Sequence, residues 1–222
     1  MAEQSQIIWT GQELSLALGV KVKGASFGHI QINSKDVAVG DIFIAMLGAH
    51  LDGHDFVQDA LNRGAALAIV SRDIGYESEK VLQVIDCFIA LENMARYKRA
   101  NVKAQFIAIT GSVGKTSLKE AAFAAFKACG VSFCSRGNFN NKLGLLINLA
   151  SMPSNVQYCI LELGMNHKGE ILELTQILKP DVAIINNVYN THQANFATLE
   201  DIALAKAEIL DGLDPNNGYA LL

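Results

Sequence analysis

The sequence predicts an α/β protein, a small first α/β domain followed by part of a P-loop domain with a mostly parallel sheet. Three observations predict it. Strand-length apolar runs alternate with helical patterns along the chain, a glycine-rich turn carrying Lys-Thr lies between one such run and one such pattern, and 50% of the 222 residues are hydrophobic.

In chain order, Leu14, Leu16 and Leu18 mark a helix over residues 11–18 that Gly19 is placed to end. Short strands are expected at Val20–Val22 and Gly28–Ile32, and a compact apolar strand at Asp41–Met46. His54–Arg63 reads as a helix closed by Gly64, leading into the strand Ala66–Val70 and, after a polar connection, Val81–Ile85. A domain boundary is expected near Asp86, giving domains 1–86 and 87–222. Cys87–Arg99 reads as an amphipathic helix, Phe106–Ile109 as a strand, and the segment after the glycine-rich turn as a helix reaching Ala128. Further strands are expected at Val131–Cys134, Tyr158–Leu163 and Val182–Ile185, separated by helices at Leu143–Ala150 and Gly169–Leu178. Strands this apolar, in β–α alternation, argue for a parallel sheet covered on both faces. Thr198-Leu199-Glu200-Asp201 caps a last helix, Ile202–Leu210, before Gly212. Tyr219–Leu222 then starts as a strand, which leads us to expect a piece of a longer protein that is inactive by itself.

Composition narrows the function. A net charge of −4 provides no basic footprint for nucleic acid or an anionic membrane, so a polyanionic ligand needs a local site. No basic-then-apolar leader and no apolar run of membrane-spanning length are present, so the expectation is a cytoplasmic protein. Cys87, Cys129, Cys134 and Cys159 lie in or beside apolar segments without C-x-x-C spacing and read as buried free thiols.

The chemistry centres on Thr110-Gly111-Ser112-Val113-Gly114-Lys115-Thr116-Ser117. Glycines let backbone N–H groups crowd around phosphate oxygens, the helix N-terminus adds partial positive charge, Lys115 reaches a terminal phosphate and Thr116 is a Mg²⁺ ligand. The first glycine of the general pattern would fall at Ile109; here it is Gly111, a shorter G-x-x-G-K-T form. Glu162, ending the strand Cys159–Leu161, stands where a Walker-B-type acid holds Mg²⁺, or is a strand-end acid facing solvent. The polar turns 137–142, Asn166-His167 and Asn186-Asn187 each follow a strand, which makes a wide ligand cleft plausible on one sheet edge. From the residues alone, Lys206 is a solvated helix lysine, and His192 is a loop histidine or a second metal ligand.

Taken together, T-G-S-V-G-K-T-S at 110–117, G-N-F-N-N at 137–141, E-L-G-M-N-H at 162–167, N-N at 186–187, His192, A-K-A-E-I at 205–209 and D-G-H-D-F at 52–56 resemble the Mur ligases of peptidoglycan synthesis. The shorter phosphate loop is the form that family uses. The resemblance implies a first domain holding the UDP end of the substrate, a central ATPase domain, here incomplete, and an absent C-terminal domain. Order and spacing are nearest to the member that uses ATP to join D-alanyl-D-alanine to UDP-N-acetylmuramoyl-tripeptide through an acyl phosphate. By match, Lys115 contacts the β- and γ-phosphates, Thr116 and Glu162 bind one Mg²⁺, and His192 helps bind a second. Lys206 matches a carbamylated lysine that assists Mg²⁺ placement. Asn140, Asn141 and Asn166 match positions near nucleotide and UDP-linked substrate, and Asn33-Ser34-Lys35 matches the uridine-side D-[ST]-R segment. Two departures stand out: Asn33 and Lys35 replace an Asp and an Arg, lysine lacking the bidentate fork, and Gln193–Ala197 lacks the acid and glycines common after the histidine. The resemblance also implies a monomer. Two other readings are a folylpolyglutamate synthase-like ligase and a non-catalytic nucleotide-binding module.

Overall fold

The computed structural model describes residues 6–75, 78–135, 137, 139–190 and 195–222. The chain divides into two compact units. The first contains the described residues up to Lys98 together with Leu149–Pro153, and the second contains Arg99–Asn148 and Ser154–Leu222.

The first unit opens with β1 (Trp9–Thr10) and α1 (Gly11–Leu18). Thr10 and Glu13 form a reciprocal capping box at the start of α1, and Gly19 ends it in the left-handed conformation. Next come β2 (Ser26–Phe27), β3 (Ile30–Gln31), β4 (Ile42–Ile44), α2 (Val57–Asn62), β5 (Leu67–Val70), β6 (Val81–Gln83) and α3 (Cys87–Asn101). β3-β4-β5-β6 form a parallel sheet in that order, with Ile42 opposite both Ile30 and Leu67; β1 and β2 pair antiparallel. Every residue of β4 and β5 is buried, as expected of parallel strands covered on both faces. Phe43, Ala45, Val57, Ala60, Ala68 and Val70 form one core cluster.

Two expectations change here. Val20–Val22 is not a strand: it joins no ladder, and Val22 N–H donates to Ser15 Oγ instead. The helix expected from His54 begins as a 3-10 turn, Gly53–Phe56, with Asp52 accepting the His54 N–H as its cap. The division between the compact units falls near Lys98. The reason is packing: α3 buries Leu91, Met94 and Ala95, and Lys98, fully enclosed, donates to Ile8 O and lies 4.4 Å over the Trp9 ring. The return segment is tied to the same unit by Trp9 Nε1 donating to Ala150 O (2.7 Å) and Ile30 N–H donating to Ser151 Oγ (3.1 Å).

The second unit contains β7 (Gln105–Thr110), α4 (Lys115–Lys127), β8 (Ser132–Cys134), α5 (Lys142–Ala150, whose last two residues count with the first unit), β9 (Tyr158–Glu162), α6 (Glu170–Leu178), β10 (Val182–Ile185), α7 (Leu199–Ala207) and β11 (Tyr219–Leu221). Its sheet is parallel throughout, in the order β11-β10-β7-β9-β8. The central strand β7 therefore has β9 on one side and β10 on the other. Ile107, Ile109 and Ile160 on one sheet face pack with Leu118 and Phe123 of α4. The register sets Glu162 beside Ile109 and Ile185 beside Thr110, so the carboxyl ends of three neighbouring strands converge.

The cysteines are free thiols, as expected. Cys87 and Cys159 are buried, and burial pushes the Cys87 thiol up to about 11. Cys129, expected to be buried, is exposed on the last turn before Gly130. Among the described residues no helix is long and apolar enough to cross a membrane.

Candidate nucleotide site at the strand ends

The phosphate loop is the sharp turn from β7 into α4. Thr110 is fully buried at the strand end, and Gly114 sits before the helix at φ +75°, a conformation that side-chain-bearing residues rarely adopt. The N–H groups that open α4 have no intrahelical acceptor and carry the positive end of the helix dipole. Lys115 Nζ donates to Gly111 O (2.8 Å) and Ser112 O (3.4 Å), within the same loop.

Glu162 binds the site together. Its carboxylate is only 3% exposed, so it is not the solvent-facing acid that strand-end position alone allowed. Thr116 Oγ1 donates to Glu162 Oε2 (2.8 Å), and Asn140 Nδ2 donates to Oε1 (2.8 Å). A hydroxyl from the loop and a carboxylate from the next strand form the hard oxygen set that a Mg²⁺ ion prefers. Gly164 makes room for this: a Cβ there would lie 2.7 Å from Asn140 Cγ. Asn141 also has a local task, its Oδ1 accepting the Gly144 N–H in the first turn of α5.

A cavity of about 140 Å³ joins these groups, lined by Gly111, Lys115, Asn140, Asn141 and Asn166, with Glu170 and Lys206 completing the wall. Six residues expected in the site line this one cavity. Lys206 overturns the reading from composition: it is 2% exposed, not a solvated helix lysine. Burial, with a smaller contribution from Lys115, lowers its pKa to about 8, and it has no ion-pair partner among the described residues. Between about pH 8 and 10.5 the unfolded chain binds more protons at this lysine than the folded chain does, so its contribution to stability rises with pH through that window. At pH 7 the full cost of the buried charge is present. In CO₂-free buffer, Lys206→Met should raise the unfolding free energy at pH 7 by on the order of 3 kcal/mol and flatten that pH slope, as read by urea titration.

Other residues are placed apart from the cavity. Ser34 lies in the first unit, buried at 4% exposure, where its hydrogen bond holds the Asp59 carboxyl below its usual pKa; Lys35 is exposed on the same short turn. A larger cavity of the first unit, about 1040 Å³, is lined by Lys23, Arg72, Glu79 and Gln83 and includes neither of them. Val113, Thr116 and Ser117 are exposed on the loop and the first turn of α4, and Ser112 is buried. His192 lies outside the described residues.

Sequence reasoning missed three contributors. Glu170 lines the cavity and accepts the Asn166 N–H (2.6 Å). Glu208, two residues after Lys206, accepts the N–H groups of Gly169 (2.8 Å) and Leu172 (3.1 Å), tying the end of α7 to the start of α6. Lys119 is fully buried on α4 and donates to Ser135 O (2.7 Å), anchoring the start of the turn that carries Asn140. Glu208 had a signal in A-K-A-E-I, and Glu170 lies four residues after Asn166, within reach of a local reading; the contact of Lys119 with Ser135 spans sixteen residues and leaves no local pattern.

Comparison with known proteins gives the family. Residues 109–222 match the Mur ligase middle domain, and residues 26–108 match the Mur ligase family catalytic domain. The chain belongs to the Mur ligase family. It is 52% identical over 213 residues to the UDP-N-acetylmuramoyl-tripeptide–D-alanyl-D-alanine ligase of Rickettsia prowazekii, covering 95% of this chain and 47% of that protein. The Escherichia coli ligase of the same name is 34% identical over 215 residues, covering 96% and 47%. A crystal structure of MurF from Acinetobacter baumannii superposes with TM-score 0.81 at 33% identity, over 95% of this chain and 48% of the other. The MurF ligase of Thermotoga maritima in complex with ADP gives 0.73 at 33% identity, over 87% and 45%. This Mur ligase chain thus spans about half the length of the curated relatives it matches.

Proposed function

We propose that this chain carries the UDP-substrate-binding and ATP-binding parts of a cytoplasmic ligase that joins D-alanyl-D-alanine to UDP-N-acetylmuramoyl-tripeptide at the expense of ATP. One observation carries the reading: Lys115, Asn140 and Lys206 line one cavity, and Glu162, beside it, holds the phosphate-loop Thr116. Similarity to ligases of that name along 95% of the chain supports the choice of substrate.

In this reading, Lys115 exchanges its loop carbonyls for β- and γ-phosphate oxygens, and the N–H groups opening α4 take the remaining phosphate charge. Thr116 and Glu162 would hold Mg²⁺, which when bound neutralises charge developing on the transferred phosphoryl group. His192 takes a place at a second metal. Asn140 keeps Glu162 aimed, and Asn141 and Asn166 face the UDP-linked substrate. Lys206 is suited to carbamylation: its ammonium loses one proton to give the neutral amine, which adds CO₂ and releases a second proton, so that an anion replaces a buried cation beside Lys115. The first unit takes the UDP end, with Lys35 exposed for contact and Ser34 shaping its turn.

Ligand protection tests this reading against a folylpolyglutamate synthase-like one. UDP-N-acetylmuramoyl-tripeptide at a hundred times its Kd should stabilise the chain by about 2.7 kcal/mol, and a folate should leave the melting temperature unchanged. Protection by the folate and none by the UDP compound would contradict it.

A further inference from the structure

Two residues beyond the end of β10, Asn187 meets the phosphate loop with its carboxamide. Its Oδ1 accepts the N–H groups of Ser112 (3.1 Å) and Val113 (3.0 Å), and its Nδ2 donates to Val113 O (2.9 Å). Asn186 Nδ2 donates to the same carbonyl at 2.9 Å. Tyr189 N–H donates to Ser112 Oγ (2.9 Å), and that hydroxyl donates in turn to Tyr189 O (3.0 Å). The backbone runs alongside, with Asn186 N–H on Thr110 O (2.9 Å) and Ser112 N–H also on Asn187 O (3.1 Å).

These bonds have a common logic. A carboxamide presents an acceptor and a donor side by side, so Asn187 engages both the N–H and the C=O of Val113 as a neighbouring strand would. The ladder between β7 and β10 is thereby continued past the strand ends into a loop that has no strand geometry of its own. Aspartate would lose the donor, and an aliphatic residue would lose both functions. The bonds fall on residues 112–113 and leave Lys115, which lines the cavity with its Nζ on Gly111 O and Ser112 O, outside their reach.

We propose that Asn187 is a positioning residue for the phosphate loop, with Asn186 as its auxiliary. The two carboxamides hold Ser112 and Val113 in the conformation that presents Lys115 and the first turn of α4 to a nucleoside polyphosphate, without touching the phosphates. This inference rests on reading the loop as the nucleotide site. Its effect is preorganisation: a loop already fixed has less freedom to lose when the ligand binds.

The test is titration of MgATP into the chain and into Asn187→Ala, with the thermal midpoint of each nucleotide-free protein measured alongside. The expected result is an affinity at least about tenfold weaker for N187A at temperatures where it is fully folded, matching the loss of two or three ordinary hydrogen bonds. A purely structural role would lower the midpoint and leave the affinity of the folded protein unchanged, which would overturn the proposal. Should N187A not fold, Asn186→Ala removes one donor onto Val113 and keeps both bonds to Asn187 Oδ1; a twofold to fivefold loss is expected, roughly one hydrogen bond's worth, and no change overturns the proposal. Failure of the parent chain to bind MgATP removes the nucleotide reading itself, whereas equal binding by parent and variant removes only the role of Asn187.

Discussion

Lys115→Ala should reduce MgATP affinity by about 10²–10³-fold. The size follows from the chemistry at the loop. Lys115 opens α4 directly after the glycine-rich turn, lines the cavity, and its ammonium lies on the carbonyls of Gly111 and Ser112. A charge-assisted bond from lysine to phosphate has no substitute once the side chain stops at Cβ. The fold should survive, because both of those bonds are made within residues 111–115 and Lys115 is only half-buried. Equilibrium titration followed by circular dichroism checks both halves of this expectation. Near-parent affinity in a folded variant would place the nucleotide elsewhere.

Glu162→Gln should abolish the Mg²⁺ dependence of ATP binding and lower its affinity by about 10²-fold, measured by titration at several Mg²⁺ concentrations. Glu162 is nearly enclosed and accepts from Thr116 and Asn140 at once. Glutamine retains one acceptor oxygen of nearly the same shape, so it removes the negative charge with little loss of packing. Glu162→Ala is a different experiment: it leaves the half-buried Asn140 donor and the Thr116 hydroxyl without their acceptor, at about 0.5–1.5 kcal/mol for each. A destabilised E162A beside a stable but Mg²⁺-insensitive E162Q would separate the structural task of this carboxylate from its metal task.

Much of this was legible in the sequence because the signals are local. The phosphate loop is a contiguous string whose glycines, lysine and hydroxyl each answer one requirement of a phosphate. The parallel sheet of the second unit follows from the unbroken apolar runs of β7, β9 and β10, and the capping sequence at Thr198 appears as a reciprocal box with Asp201. What escaped notice depends on residues distant in sequence. Whether Val20–Val22 pairs depends on a partner strand, and here Ser15 took its amide instead. The burial of Lys206 is decided by what packs over α7, so a helix lysine that is ordinary in composition becomes a titrating group. Ser34 matched a motif, yet its hydroxyl faces Asp59 in the interior of its own unit. Asn186-Asn187 was legible as a polar turn and as part of the family pattern; its pairing with Val113 emerges from the register of β10 beside β7.

The proposed nucleotide site at the carboxyl ends of β7 and β9 is tested most directly by calorimetric titration of ATP into this chain, with Mg²⁺ present and after chelation, beside the Lys115→Ala variant. The expected result is one saturable site that weakens on chelation and disappears in the variant. Binding that is indifferent to both Mg²⁺ and Lys115 would contradict it.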